Sequence, residues 1–305
     1  MKILIRNMLK IDNDDIKMLE THGYGPIEFF DTVEESDAEV IVGSIATDTE
    51  SLKKFPNLKL LHILPAGFDS LDLEALKKRG VMLVNGKGVY SRPIAEYIIG
   101  KVLAWAKKDQ EFYKQQMNKE WTRINEGMLE LTDKTVGILG TGSIAQDTAR
   151  LLKAFDCKVL GLNTSGKPVE HFDNTFAIDE MKTVFNQSDI VICTLPLNEK
   201  TYHLLGKEEF LAMKKDALFI NIGRGKEVVE KELIEILDTH LSQVVLDVFE
   251  QEPLPKESPL WHHPKVIITP HNSSDSDIVD ARRKTYVLEN LMHYSKNEEI
   301  ENRVI

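Results

Sequence analysis

Short apolar runs alternate with stretches of helical spacing from one end of the chain to the other. In the first part the runs are KILI, IEFF, EVIVG, LKLLHIL and VMLVN, with helix-like segments such as DNDDIKMLETHG and SLDLEALKKRG between them. The runs are apolar throughout rather than alternating, the pattern of strands buried on both faces of a parallel sheet. One long segment of helical spacing follows, RPIAEYIIGKVLAWAKKDQEFYKQQ, with Pro93 suited to its first turn. After polar NKEWTRINEG a second series begins: TVGIL, CKVLGL, DIVICTL, ALFINI, QVVLDV and KVIIT. The chain therefore reads as two α/β units, each a doubly wound parallel sheet. In the tail, Ile278, Val279, Tyr286, Val287, Leu291 and Met292 have roughly helical spacing. A lone helix must pack on something, and the first unit is the candidate.

Composition narrows the class. A length of 305 residues suits two domains, and 42% hydrophobic residues suffice for real cores. A net charge of −11 argues against nucleic acid or an anionic membrane as partner, since both need basic surface. Cys157 and Cys193 lie in or beside apolar runs, without metal-ligand spacing, and read as reduced core thiols. The first residues hold too few apolar positions for a signal-peptide core, and no run is long enough to cross a bilayer. These features predict a soluble cytoplasmic protein. The adjacent His262 and His263 lack a carboxylate or cysteine at a spacing that would complete a metal site, so no metal is expected.

Two groups of residues carry chemistry. Gly140-Thr141-Gly142-Ser143-Ile144-Ala145 follows an apolar run and opens a segment with Ile144, Thr148, Leu151, Leu152 and Phe155 on about one face. That is the strand–turn–helix context of a dinucleotide fingerprint. Gly140 makes the tight turn, Gly142 admits a pyrophosphate, and the helix start favours its charge. The next run should end in an acid for the ribose hydroxyls, but ends in Asn163, followed by Thr164, Ser165, Gly166 and Lys167. Neutral groups with a nearby lysine can accept a 2′-phosphate, so NADP(H) is favoured and NAD(H) is the alternative.

The second group is Arg224, Glu252 and His271, each just beyond an apolar run in the second series. That edge of a doubly wound sheet is where ligands bind. Together they make an acid–base set: a histidine to move a proton, a carboxylate to orient it and favour its charged form, and a guanidinium to clamp a carboxylate. Taken singly, they could be a turn arginine, a solvated loop acid and a strand-end histidine.

At this point the chain resembles the D-isomer-specific 2-hydroxyacid dehydrogenases. The resemblance runs nearly its whole length, through LPAGFDSLD, SRPIAEYIIGKVLAWAK, VGILGTGSIAQDTARLLKAF, SDIVICTLPLNEKTYHLLG, MKKDALFINIGRGKEVVEKELIEIL, LDVFEQEPLPKESPLW and VIITPH. It implies a flavodoxin-like substrate domain, residues 1–95 and 273–305, with an inserted Rossmann cofactor domain, residues 96–272. It makes Arg224 the substrate arginine and Glu252 with His271 the acid–base pair. Asp247 would hold the nicotinamide carboxamide, and amides around Ala66 and Gly67 would receive the substrate carboxylate. Leu195, Pro196, Thr201, Ile222 and Gly223 would flank the cofactor. The implied reaction is reduction of a 2-keto acid to a D-2-hydroxy acid in an interdomain cleft that closes, in a homodimer built by the cofactor domain. Two rivals stand beside it: a cofactor-binding regulator or co-repressor on the same fold, and an NAD-dependent enzyme of the phosphoglycerate dehydrogenase type. Asn163 counts against the latter, and a pure sensor needs no proton relay.

Overall fold

The computed structural model describes residues 1–305 and divides into two compact units, Met1–Tyr90 with Ser276–Ile305, and Ser91–Asp275. The first unit runs β1 (Ile3–Arg6), α1 (Asn13–Thr21), β2 (Ile27–Phe30), β3 (Val40–Val42), α2 (Thr49–Leu52), β4 (Leu60–His62), α3 (Leu73–Arg79) and β5 (Met82–Val84). Its sheet has the order β2-β1-β3-β4-β5, with every pair parallel. The uninterrupted apolar runs now have a cause. Ile3, Ile5, Val40, Val42 and Leu60 point into one core, while Leu4, Ile41, Leu61 and Leu83 point into another on the opposite face. Both faces of the inner strands are covered, so a polar position there carries a penalty, while edge strand β2 exposes Glu28 and Phe29. Helix ends follow local chemistry. Asp12 accepts from the Asp14 and Asp15 amides while Asp15 reaches back to the Asp12 amide, and Gly80 closes α3 at φ +68°.

The second unit runs α4 (Ser91–Ala106), α5 (Asp109–Asn118), β6 (Thr135–Leu139), α6 (Ser143–Lys153), β7 (Lys158–Asn163), β8 (Asn174–Ala177), α7 (Met181–Gln187), β9 (Ile190–Cys193), α8 (Lys207–Ala212), β10 (Leu218–Asn221), α9 (Glu230–Ile236), β11 (Gln243–Leu246) and β12 (Val266–Ile268). Its sheet is parallel throughout, in the order β12-β11-β10-β9-β6-β7-β8. The chain order reverses between β6 and β9, and that switch point is where such a sheet binds a ligand.

Three expectations change. The long helical segment is two helices, because Lys108 turns left-handed at φ +62° and the buried face ends at Ala106; α5 has no buried residue. The expected boundary at residue 95 falls inside α4, which belongs whole to the second unit. The strand β8 escaped the apolar-run pattern because it is a partly exposed edge strand, Asn174-Thr175-Phe176-Ala177, paired only with β7.

The tail forms α10 (Val279–Ser295), which completes the first unit. Val287, Leu288 and Leu291 enter the core with Ile3, Val40 and Leu60, and the Tyr24 hydroxyl donates to the Leu291 carbonyl at 2.7 Å. Ile278 precedes the helix and stays exposed.

Candidate active site

The second sheet lays out the candidate site segments along one edge. In sheet order, the C-terminal ends of β12, β11, β10, β9, β6 and β7 lead into His271, Asp247 with Glu252, Arg224, Leu195-Pro196, Gly140–Gly142 and Asn163–Lys167. Parallel neighbours lie about 4.8 Å apart, so this edge spans roughly 24 Å. Arg224, Glu252 and His271 follow strands at one end of this edge, and the glycine turn lies at the switch point.

The glycine turn has the shape the fingerprint needs. Gly140 has φ +95°, and a Cβ there would stand 2.8 Å from Thr194 Oγ1. Gly142 precedes α6 and provides no side-chain cap, so the first amides of that helix have no partner there. A Cβ on Gly142 would point into open space, room that a phosphate group fits. Ala145 is wholly buried, which lets α6 seat closely. The turn is tied down locally: Ser143 Oγ lies 2.9 Å from Ser91 Oγ, and the Thr141 backbone carbonyl accepts from the Gln146 side chain. Thr201 likewise shapes its own loop, donating to the Pro196 carbonyl and accepting from the Asn198 amide.

Asn163 closes a loop. Its amide donates to the Lys167 carbonyl at 3.0 Å and its carbonyl oxygen accepts from the Ser165 amide at 3.0 Å. Asn163 therefore holds the turn that displays Thr164, Ser165 and Lys167, all exposed.

The Gly223-Arg224-Gly225 stretch has a steric explanation. Neither glycine needs a left-handed φ. A Cβ on Gly223 would meet the Leu195 backbone oxygen at 2.8 Å, and one on Gly225 would overlap the Phe249 backbone at 1.8 Å. Arg224 is thus held between the loop after β9 and the loop that carries Glu252. Two residues not anticipated from sequence shape this turn. Buried Asn221 accepts from the Gly223 amide and donates to the Arg224 carbonyl. Buried Glu227 accepts from the Arg224 amide and the Cys193 thiol. Asn221 left a trace, a polar residue ending an apolar run; Glu227 left none. Burial, then the nearby Glu227 charge, pushes the Cys193 thiol well up.

Glu252 and His271 meet. His271 Nδ1 lies 2.8 Å from Glu252 Oε2, and the other Glu252 oxygen accepts from the Phe249 amide at 3.1 Å. Both side chains are partly exposed, at 49% and 37%. Asp247, by contrast, is wholly buried. The resemblance points its carboxylate at the nicotinamide carboxamide. In the structure it accepts from the Thr269 hydroxyl and from the Asn272 and Ser273 amides.

In the first unit Ala66 and Gly67 follow β4 at the C-terminal edge of that sheet. No backbone carbonyl of the chain accepts from either amide. Such a pair of amides suits an anionic group.

Known proteins share this fold. Residues 99–273 match the family model of the D-isomer specific 2-hydroxyacid dehydrogenase, NAD binding domain. The chain is 31% identical over 292 residues to a glyoxylate reductase of Thermofilum pendens, covering 93% of this chain and 86% of that one. It is 30% identical over 312 residues to a D-3-phosphoglycerate dehydrogenase of Methanocaldococcus jannaschii, covering 99% of this chain but 59% of that longer one. It superposes on an NADPH-dependent glyoxylate/hydroxypyruvate reductase from Sinorhizobium meliloti, solved with NADP and sulfate, with a TM-score of 0.80, 25% identity, and 99% and 98% of the two chains covered.

The chain belongs to the D-isomer specific 2-hydroxyacid dehydrogenase family. It is an NAD(P)-dependent oxidoreductase acting between 2-keto and 2-hydroxy acids, and the reading as a regulator without catalysis is not favoured. No helix is long and apolar enough to cross a membrane.

Proposed function

We propose that this enzyme reduces a small 2-keto acid of the glyoxylate or hydroxypyruvate kind to the D-2-hydroxy acid, with NADPH preferred over NADH. The observation that carries the reading is the 2.8 Å contact between His271 Nδ1 and Glu252 Oε2, with Glu252 in the loop after β11, the strand beside the one that leads into Arg224. Glu252 orients the imidazole so that Nε2 is the free proton donor, and His271 protonates the carbonyl oxygen of the substrate. Arg224 holds the substrate carboxylate and polarises the carbonyl, with the amides of Ala66 and Gly67 as further donors. A nicotinamide bound there would supply the hydride. The residues that would hold this cofactor are the amides of Thr141 to Ile144 for the pyrophosphate, on the turn that Gly140 makes, and the loop of Asn163, Thr164, Ser165 and Lys167 for the ribose. Leu195, Pro196, Thr201, Ile222 and Gly223 flank it.

Preference for NADPH is supported by the Asn163 loop, which offers hydroxyls and an exposed lysine where an acid would repel a 2′-phosphate. The Sinorhizobium relative with NADP supports the same choice. The phosphoglycerate dehydrogenase reading draws support from the Methanocaldococcus relative and would show as NADH-linked activity on a phosphorylated substrate.

The homodimer is part of this reading. Helix α5 buries none of its residues, and Phe112, Tyr113, Met117, Trp121 and Met128 are exposed on it and the segment after it. Apolar surface of that kind suits a second copy. Sedimentation at twice the chain mass would support it, and Trp121→Glu should return the monomer. A cytoplasmic location fits two free, buried thiols.

The deciding assay follows loss of reduced-nicotinamide absorbance with NADPH and NADH across a panel of 2-keto acids. Turnover of a small keto acid, faster with NADPH, is expected. Cofactor binding without turnover of any keto acid would reject the proposal.

A further inference from the structure

Beneath the His271 loop lies a hydrogen-bonded chain that begins on a different element. Tyr97, in α4, places its hydroxyl 2.6 Å from Thr269 Oγ1, and Thr269 Oγ1 lies 2.6 Å from Asp247 Oδ1. The direction of these bonds follows from proton count. An ionised carboxylate only accepts, so the single Thr269 proton goes to Asp247; the Thr269 oxygen then accepts, and Tyr97 is the donor. Asp247 also takes the Asn272 amide at 2.9 Å and the Ser273 amide at 3.1 Å, while its own carbonyl accepts from the His271 amide at 2.8 Å. One buried aspartate thus gathers donors from residues on both sides of His271. His271 itself has φ +52°, a conformation an L residue adopts at a cost and keeps only where its surroundings impose it. Burial pushes the Tyr97 hydroxyl up to about 12, so it stays a donor across the working range.

We infer that Tyr97 and Thr269 are positioning residues for the proton donor: through Asp247 they hold the left-handed turn that presents the His271 ring to Glu252. The inference rests on the reading of His271 as proton donor. It also gives Asp247 a task at the histidine loop, distinct from the cofactor contact the resemblance implies.

The physical logic is asymmetric. Removing one donor leaves a buried carboxylate short of a partner, which costs more than the lost bond returns in water. The loop can then relax toward an ordinary φ, and His271 drifts from its 2.8 Å contact with Glu252.

The test compares Tyr97→Phe, Thr269→Val, Thr269→Ser and His271→Ala in the full enzyme. It measures kcat, KM and NADPH affinity by fluorescence for keto-acid reduction. Thr269→Val should lower kcat roughly tenfold and Tyr97→Phe about threefold, with KM for the keto acid and NADPH affinity within about twofold of the parent. Thr269→Ser keeps the hydroxyl and should restore kcat. Unchanged kcat in Tyr97→Phe and Thr269→Val, with His271→Ala inactive, would overturn the positioning role alone. So would a Thr269→Ser as impaired as Thr269→Val, or weakened NADPH affinity at constant kcat. An active His271→Ala would overturn the proposed chemistry itself.

Discussion

His62 and His271 both stand where a parallel strand runs out, and the fold treats them in opposite ways. His62 ends β4 and is wholly buried, with its Nδ1 3.2 Å from the Ile63 carbonyl oxygen and its Nε2 3.2 Å from the Asn290 amide of α10. Burial pulls its pKa down to about 4, so it is neutral wherever the protein is folded near neutrality. His271 follows β12, is half exposed, and faces a carboxylate. A histidine at a strand end is thus no sign of chemistry by itself. Exposure together with a carboxylate partner at 2.8 Å makes the difference, and the partner comes from another loop.

The largest expected effect tests the reactive member of the pair. His271→Ala should lower kcat by roughly a thousandfold while leaving NADPH binding and thermal stability near parental values. Equal activity in single-turnover assays would remove the contrast altogether. Arg224→Ala should cost roughly a hundredfold in kcat/KM for keto acids. A loss confined to KM would show that Arg224 binds substrate without aiding the chemical step.

The buried member predicts a stability effect instead. Above the ordinary histidine value near 6.5, both the folded and unfolded forms of His62 are neutral, and pH has no effect through it. Below that value the unfolded chain takes up a proton that the folded one refuses until about pH 4. Stability should therefore fall with decreasing pH across this window, by about 3 kcal/mol in all. Urea midpoints of the parent and His62→Gln between pH 7 and pH 4 check this. A parallel decline in both would show that other groups carry the pH dependence. The smallest effect concerns the far end of the second sheet. Lys167→Ala should lower the ratio of NADPH to NADH efficiency roughly tenfold, more at low salt than at high. A constant ratio would put the discrimination on Thr164 and Ser165.

Much of this organisation is legible in the residues. The strands of both sheets, apart from β8, are announced by their apolar runs, because the inner strands are covered on both faces and leave little room for polar positions. The fingerprint at Gly140 is legible because its glycines satisfy a local requirement, a turn against Thr194 and an open approach to α6. Arg224, Glu252 and His271 are legible as polar residues beyond strand ends. The break at Lys108 is not, because the residues on either side favour helix, and only the loss of a packing partner after Ala106 ends α4.

By itself, then, the sequence determined two parallel α/β units, the place of the glycine turn and three polar residues at strand ends, since each follows from local periodicity and local sterics. Tertiary structure alone decided that Asn163 would close its own loop, that Gly223 and Gly225 would each lie against a neighbouring backbone, and that Asp247 would turn inward to hold the His271 loop. Those outcomes depend on which strands become neighbours in the sheet, and strand adjacency is set by packing between residues far apart in the chain.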